Sequence, residues 1–171
     1  SGRVRIVDNG QLLPDPFLVL EVDNYNERGL SGIAFDPAFE QNGYLYLYYT
    51  VKGANHNRVS RFTADGNYAM PGSETILLDI DPLASTVHNA GSMSFGPDGK
   101  LYVSIGDGAN GNTSQDMNSL LGKVIRINAD GSQDTTFNTI SWSSEMSAVH
   151  EQPDGKVVLG GMFRLVGIPD T

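Results

Sequence analysis

The chain has 171 residues, a net charge of −9, 20 glycines, 8 prolines and no cysteine. Its length suits one domain, and its acidity argues against nucleic acid and anionic membrane surfaces as partners. Without cysteine there are no disulfides, thiolate nucleophiles or cysteine-zinc sites.

The start, Ser1-Gly2-Arg3, has no secretory-signal pattern, which fits a mature secreted or periplasmic chain. No stretch reaches the roughly 18 apolar residues of a membrane helix. In chain order, strands are predicted near 3–7, 17–22, 31–36, 44–50, 58–63 and 74–80, then 91–96, 100–105, 123–128 and 137–142, and finally two strands within 146–161. Leu101, Val103 and Ile105 alternate with Tyr102 and Ser104, a period of two. Asp98-Gly99 and Asp154-Gly155 each divide two apolar runs, the strongest short-range hairpin signal. Asp116–Leu121 is expected to form one helical turn.

These strands repeat as a unit. Gly32-Ile-Ala-Phe-Asp-Pro37, Ser92-Met-Ser-Phe-Gly-Pro97 and Ala148-Val-His-Glu-Gln-Pro153 align, with prolines 60 and 56 positions apart. Arg58-Val-Ser-Arg-Phe-Thr-Ala-Asp-Gly66 aligns with Lys123-Val-Ile-Arg-Ile-Asn-Ala-Asp-Gly131, and Arg3-Val-Arg-Ile-Val-Asp-Asn-Gly10 echoes both. Four-stranded antiparallel units at this spacing predict an all-β propeller. A β-sandwich would lack the repeat, and a β-helix rung is shorter. The expected layout is third and fourth strands of a shared blade at 1–22, whole blades at 23–80 and 81–142, and first and second strands of a shared blade at 143–171. Three blades are too few for a closed ring. Two chains joined head to tail would make a six-bladed homodimer; a segment of a longer chain is the other expectation.

Glu27-Arg-Gly-Leu-Ser-Gly-Ile-Ala-Phe-Asp-Pro37 with Asn42-Gly-Tyr-Leu-Tyr46, and His88-Asn-Ala-Gly-Ser-Met-Ser-Phe-Gly-Pro-Asp-Gly-Lys-Leu-Tyr102 with Gly106-Asp-Gly108, resemble the soluble aldose and sorbosone dehydrogenases that use pyrroloquinoline quinone (PQQ). Gln115-Asp116 and Leu121-Gly-Lys-Val-Ile-Arg-Ile-Asn128 continue the resemblance, which covers about 20–133. Asp134-Thr-Thr-Phe-Asn138 and Gln152-Pro-Asp-Gly-Lys-Val-Val-Leu-Gly-Gly161 are similar to another bacterial propeller repeat, the delta-sixty type.

The resemblance implies an oxidoreductase in which His88 is the general base toward a sugar hydroxyl and Glu27 stands near the same pocket. It implies cofactor contacts at Asn89, Gly91 and Asp107; separately, the oxygen-rich loop Gly106–Asp116 reads either as a calcium site through Asp107 and Asp116 or as a solvated Asn/Gly turn. The pattern also departs from the family. Val87 stands where the family often has an Asp that orients the histidine, Ser92 and Met93 stand where some members have an Arg, and the cations that grip the quinone belong to later blades. Two functions follow from these residues. One is a self-assembling propeller scaffold, with carbohydrate as a candidate ligand; the other is a PQQ-dependent aldose dehydrogenase. Arg58, Arg61, Lys123 and Arg126 read as repeated edge charges that discourage strand pairing.

Overall fold

The structure, a computed structural model, describes residues 1–165. The chain opens with β1 (Arg3–Val4), β2 (Val7–Asp8), β3 (Gln11–Leu12) and β4 (Leu18–Val19). β1 pairs antiparallel with β4, and β2 with β3. The first whole blade contains β5 (Leu30–Phe35), a helical turn α1 (Phe39–Asn42), β6 (Tyr44–Thr50), β7 (Asn57–Asp65), the short β8 (Tyr68–Ala69) and β9 (Thr75–Asp79). Its order is β5-β6-β7-β9, antiparallel throughout. The second contains β10 (Ala90–Phe95), β11 (Leu101–Ile105), α2 (Gly111–Gln115), β12 (Lys123–Ile127) and the start of β13 (Ile140–Glu151), and β14 (Val157–Leu165) returns beside β13. This is the expected all-β, four-stranded propeller architecture.

Two local expectations are corrected. The helical turn forms at Gly111–Gln115, not at Asp116–Leu121, because the Asn110 side chain accepts the Asn112 N–H and caps the turn there. The second blade's fourth strand is also shorter than 137–142. Only Ile140 and Ser141 pair with β12, because turn hydrogen bonds from Asp134 to Arg126 and from Phe137 to Asp134 occupy the preceding stretch. Residues 166–171 of the expected last segment lie outside the described residues.

The apolar run Tyr44–Tyr49 does not alternate with polar residues because both faces of β6 are covered. Leu45, Leu47 and Tyr49 face Phe17 and the N-terminal strands, while Tyr46 and Tyr48 face Val103, Ile105, Ile125 and Ile127 of the second blade. A third cluster joins Tyr102 and Val124 to Trp142, Met146 and Val149. Each of these side chains is worth about 1.5–3 kcal/mol when fully buried, so the blades are held mainly face to face.

The third-strand cations bind within the fold, which corrects their reading as edge charges. Arg58 makes a two-pronged bond to Asp79 at 2.5 and 3.0 Å, and Arg126 reaches Asp98 at 3.0 Å and Asp134 at 2.9 Å. Lys123 is buried and donates to the Thr113, Ser114 and Leu121 carbonyls at 2.8–3.1 Å, fastening the α2 loop; burial depresses the pKa of its amine.

Candidate functional site

The segment entering β10 is strained. His88 has φ +58° and Ala90 φ +53°, left-handed values that cost non-glycine residues energy and persist only when the surroundings hold them. Three bonds hold His88. Its N–H donates to Glu27 Oε2 at 2.6 Å, its carbonyl accepts the Gly108 N–H at 3.2 Å, and its Nδ1 lies 2.9 Å from Asp107 Oδ1. Gly106 makes the close approach possible, since a Cβ there would stand 1.6 Å from the His88 carbonyl oxygen.

Asp107 is buried and supports three left-handed residues together. Besides the imidazole it accepts the Ala109 N–H (φ +61°) at 2.9 Å and, on its other oxygen, the Ser144 N–H (φ +85°) at 3.1 Å. An ionised carboxylate only accepts, so Nδ1 of His88 carries a proton, and in the neutral imidazole the lone pair is left on Nε2. The His88 side chain is one-third exposed, and nothing bonds Nε2 among the described residues. The arrangement is an oriented proton acceptor.

The absence of an orienting Asp, read from Val87, is thus corrected: Asp107 takes that place. The signal was the hairpin register. Ala90 pairs with Ile105, and two steps beyond the ladder set His88 opposite Asp107.

Asn89 is buried beneath the loop. Its carbonyl accepts the Tyr48 hydroxyl at 3.0 Å, its side-chain amide donates to the Thr86 carbonyl at 3.1 Å, and Asn57 donates to both Tyr48 Oη and Asn89 Oδ1. Gly91, also buried, lies against Ser31 Oγ and the Tyr48 ring. A cavity of about 350 Å³ is lined by Glu27, Ser31, Asn89, Ala90, Ser92, Met146 and Ser147.

The structure therefore gathers Glu27, His88, Asn89, Gly91 and Asp107 around one loop, and of these Glu27 and Asn89 line the cavity. Asp116 is exposed and its Oδ1 accepts from its neighbour Asn118. Among the described residues, no group of three or more His, Asp or Glu side chains could hold a metal ion. Of the other histidines, His56 Nε2 lies 3.3 Å from Asp79 and His150 Nδ1 lies 3.1 Å from Ser94 Oγ.

Residues 1–151 match the family described as Glucose / Sorbosone dehydrogenase. The chain belongs to the glucose/sorbosone dehydrogenase family. The match extends beyond the stretch 20–133 at both ends and takes in part of the tail. Quinoprotein glucose dehydrogenase B of Acinetobacter calcoaceticus is 29% identical over 91% of this chain and 37% of its own length. A glucose dehydrogenase-type oxidoreductase from Thermus thermophilus superposes with TM-score 0.82 at 29% identity, covering 91% of this chain and 51% of that one. The PQQ-bound aldose sugar dehydrogenase of Streptomyces coelicolor gives 0.79 at 25% identity, covering 92% and 49%. The chain thus spans between about a third and a half of these family members.

The residues present do not fit the quinone's carboxylates, which need cationic or amide donors to offset desolvation. The cavity lining contains no Lys or Arg, and its one amide, Asn89, already donates to the Thr86 carbonyl. Arg28, next to Glu27, is engaged by Asp23 at 2.7 Å and by the Asn55 side chain.

Proposed function

We propose that the chain is a self-assembling half-ring of sugar dehydrogenase ancestry that binds carbohydrate hydroxyls at its channel mouth. The observation behind this reading is the cavity lining. It combines hydroxyls, an amide, a thioether and one carboxylate with no cation, within the size range of small-molecule sites, about 300–1,000 Å³. Such groups match the donors and acceptors of a sugar, not a polycarboxylate cofactor. The proposal keeps the chain in a secreted or periplasmic setting, and no described helix is long and apolar enough to cross a membrane.

One observation favours a second reading, a PQQ-dependent aldose dehydrogenase oxidising the anomeric hydroxyl. Asp107 orients His88 at 2.9 Å, and an imidazole whose Nδ1 proton is fixed offers Nε2 to the proton of a substrate hydroxyl. In this reading the acceptor of the two electrons, with its cations and calcium, is held by residues outside this chain.

Dye reduction with glucose, PQQ and calcium separates the two. The first reading expects no turnover but sugar-dependent NMR shifts of Asn89 and Ser92. Turnover abolished by His88→Ala would overturn it in favour of the second.

A further inference from the structure

Two contacts tie the whole blades together, and the second of them recurs from blade to blade. The first joins the third strand to the turn after the first strand. Arg126, five residues before Gly131, lies 3.0 Å from Asp98 and 3.2 Å from the Tyr102 hydroxyl. In the first blade Ala38 stands where the second has Asp98, and Arg61, five residues before Gly66, lies instead over the Tyr44 ring at 4.2 Å, its charge favouring the ionised Asp36. Arg5, five residues before Gly10, occupies the same place on the N-terminal strands. It is exposed and donates only to the Leu13 and Pro14 carbonyls, with no carboxylate partner among the described residues. The matching turn residue, Asp154, is exposed on the C-terminal hairpin and pairs with nearby Lys156.

The second contact joins one blade's second strand to the next blade's first strand. Tyr46 packs on Phe95 at 5.1 Å and shares a cluster with Met93, and Tyr102 shares a cluster with Val149. By the repeat, Val158 is the next equivalent of Tyr46 and Tyr102, and Ile33 and Phe35 are the equivalents of Met93 and Phe95. These three side chains are 50%, 45% and 55% exposed, whereas Tyr46, Tyr102, Met93 and Val149 are buried. Small residues mark the junctions: Gly32 abuts the Gly91 carbonyl, and the Ser92 hydroxyl accepts the Val149 N–H at 3.2 Å. Ser31 and Ala148 are small and exposed at the corresponding open positions.

We propose that a second copy of this chain closes the ring, its β13–β14 hairpin lying beside β1 and β5, with its Val158 under Ile33 and Phe35 and its Asp154 against Arg5. The contact is reciprocal, so two copies make six blades and close upon themselves. The charges are complementary, and the junction continues the two blade-to-blade interfaces already inside the chain. The inference rests on the assembly half of the reading above, and its test does not depend on sugar or turnover.

Light scattering and native mass spectrometry of the 171-residue chain are expected to give twice its 18.4 kDa mass. Arg5→Glu and Asp154→Arg should each weaken the dimer roughly tenfold or more, and both together should restore it to within about threefold, because like charges at an interface repel and a swapped pair attracts. Ile33→Asp, at an exposed position, should give a folded monomer by circular dichroism. Since the chain has no cysteine, mixing Ser31→Cys with Ala148→Cys protein should yield one disulfide-linked heterodimer. A monomeric wild-type chain, a dimer indifferent to these substitutions, or failure of that cross-link would overturn the proposal.

Discussion

Asp107 bonds His88 across the open end of the β10–β11 hairpin, from 19 residues further along the chain, and uses its second oxygen to hold the Ser144 N–H. Site and scaffold therefore share one carboxylate.

Asp107→Asn should disturb both. An amide cannot accept from three donors as a carboxylate does, so at least one buried donor loses its partner, at about 1–3 kcal/mol. Nitrogen-15 NMR of the imidazole should show the Nδ1–H tautomer in the parent and a mixture in the variant. An unchanged tautomer would refute the orienting role.

Gly106→Ala tests the close approach directly. The added methyl would sit 1.6 Å from the His88 carbonyl oxygen, which is backbone and cannot swing aside. A loss of roughly 1–3 kcal/mol or more in urea unfolding is expected, with the His88 amide resonance displaced. A parent-like midpoint and spectrum would mean the loop is not held where described.

Tyr48 should contribute to alkaline unfolding. Burial raises its phenol well above the ordinary value of 10.0, and burial together with the Asp36 hydrogen bond pushes Tyr46 up to about 12. A folded pKa above the unfolded one means stability is complete below pH 10.0 and declines as pH rises toward the folded values. Tyr48→Phe should flatten that decline while costing about 1–3 kcal/mol at neutral pH, because Asn57 and the Asn89 carbonyl lose their partner. Equal alkaline slopes in parent and variant would contradict the assignment.

At the acid end the sign reverses. Hydrogen bonds from Arg58 hold the Asp79 carboxyl below its ordinary 3.8, against the opposing effect of burial. Its contribution is present above pH 3.8 and fades as pH falls through the lower folded value. Asp79→Asn should lower the urea midpoint at neutral pH and leave it nearly unchanged near pH 2. An effect of equal size at both pH values would exclude this linkage.

Much of the architecture was legible because each strand signal was local. Pro-Asp-Gly before Leu101 and before Val157 placed two hairpins, and the period of two in Leu101–Ile105 placed the strand between the cores. The run Tyr44–Tyr49 was legible as a strand, but its two separate cores required the neighbouring blades. The site was half legible. His88 and Glu27 were legible by family resemblance, but Asp107 depended on ladder register, a pairing between distant positions that no local pattern states. Lys123 was misread for a similar reason, since the carbonyls it binds belong to a loop whose path only the folded chain defines.

β13 leaves one sheet and begins the next without an intervening loop. The last junction consequently has no slack. One backbone runs from the terminal hairpin to Ser144, whose N–H bonds Asp107, and Asp107 bonds the imidazole. The carboxylate that orients the imidazole is thus also a tie to the strand shared by two blades.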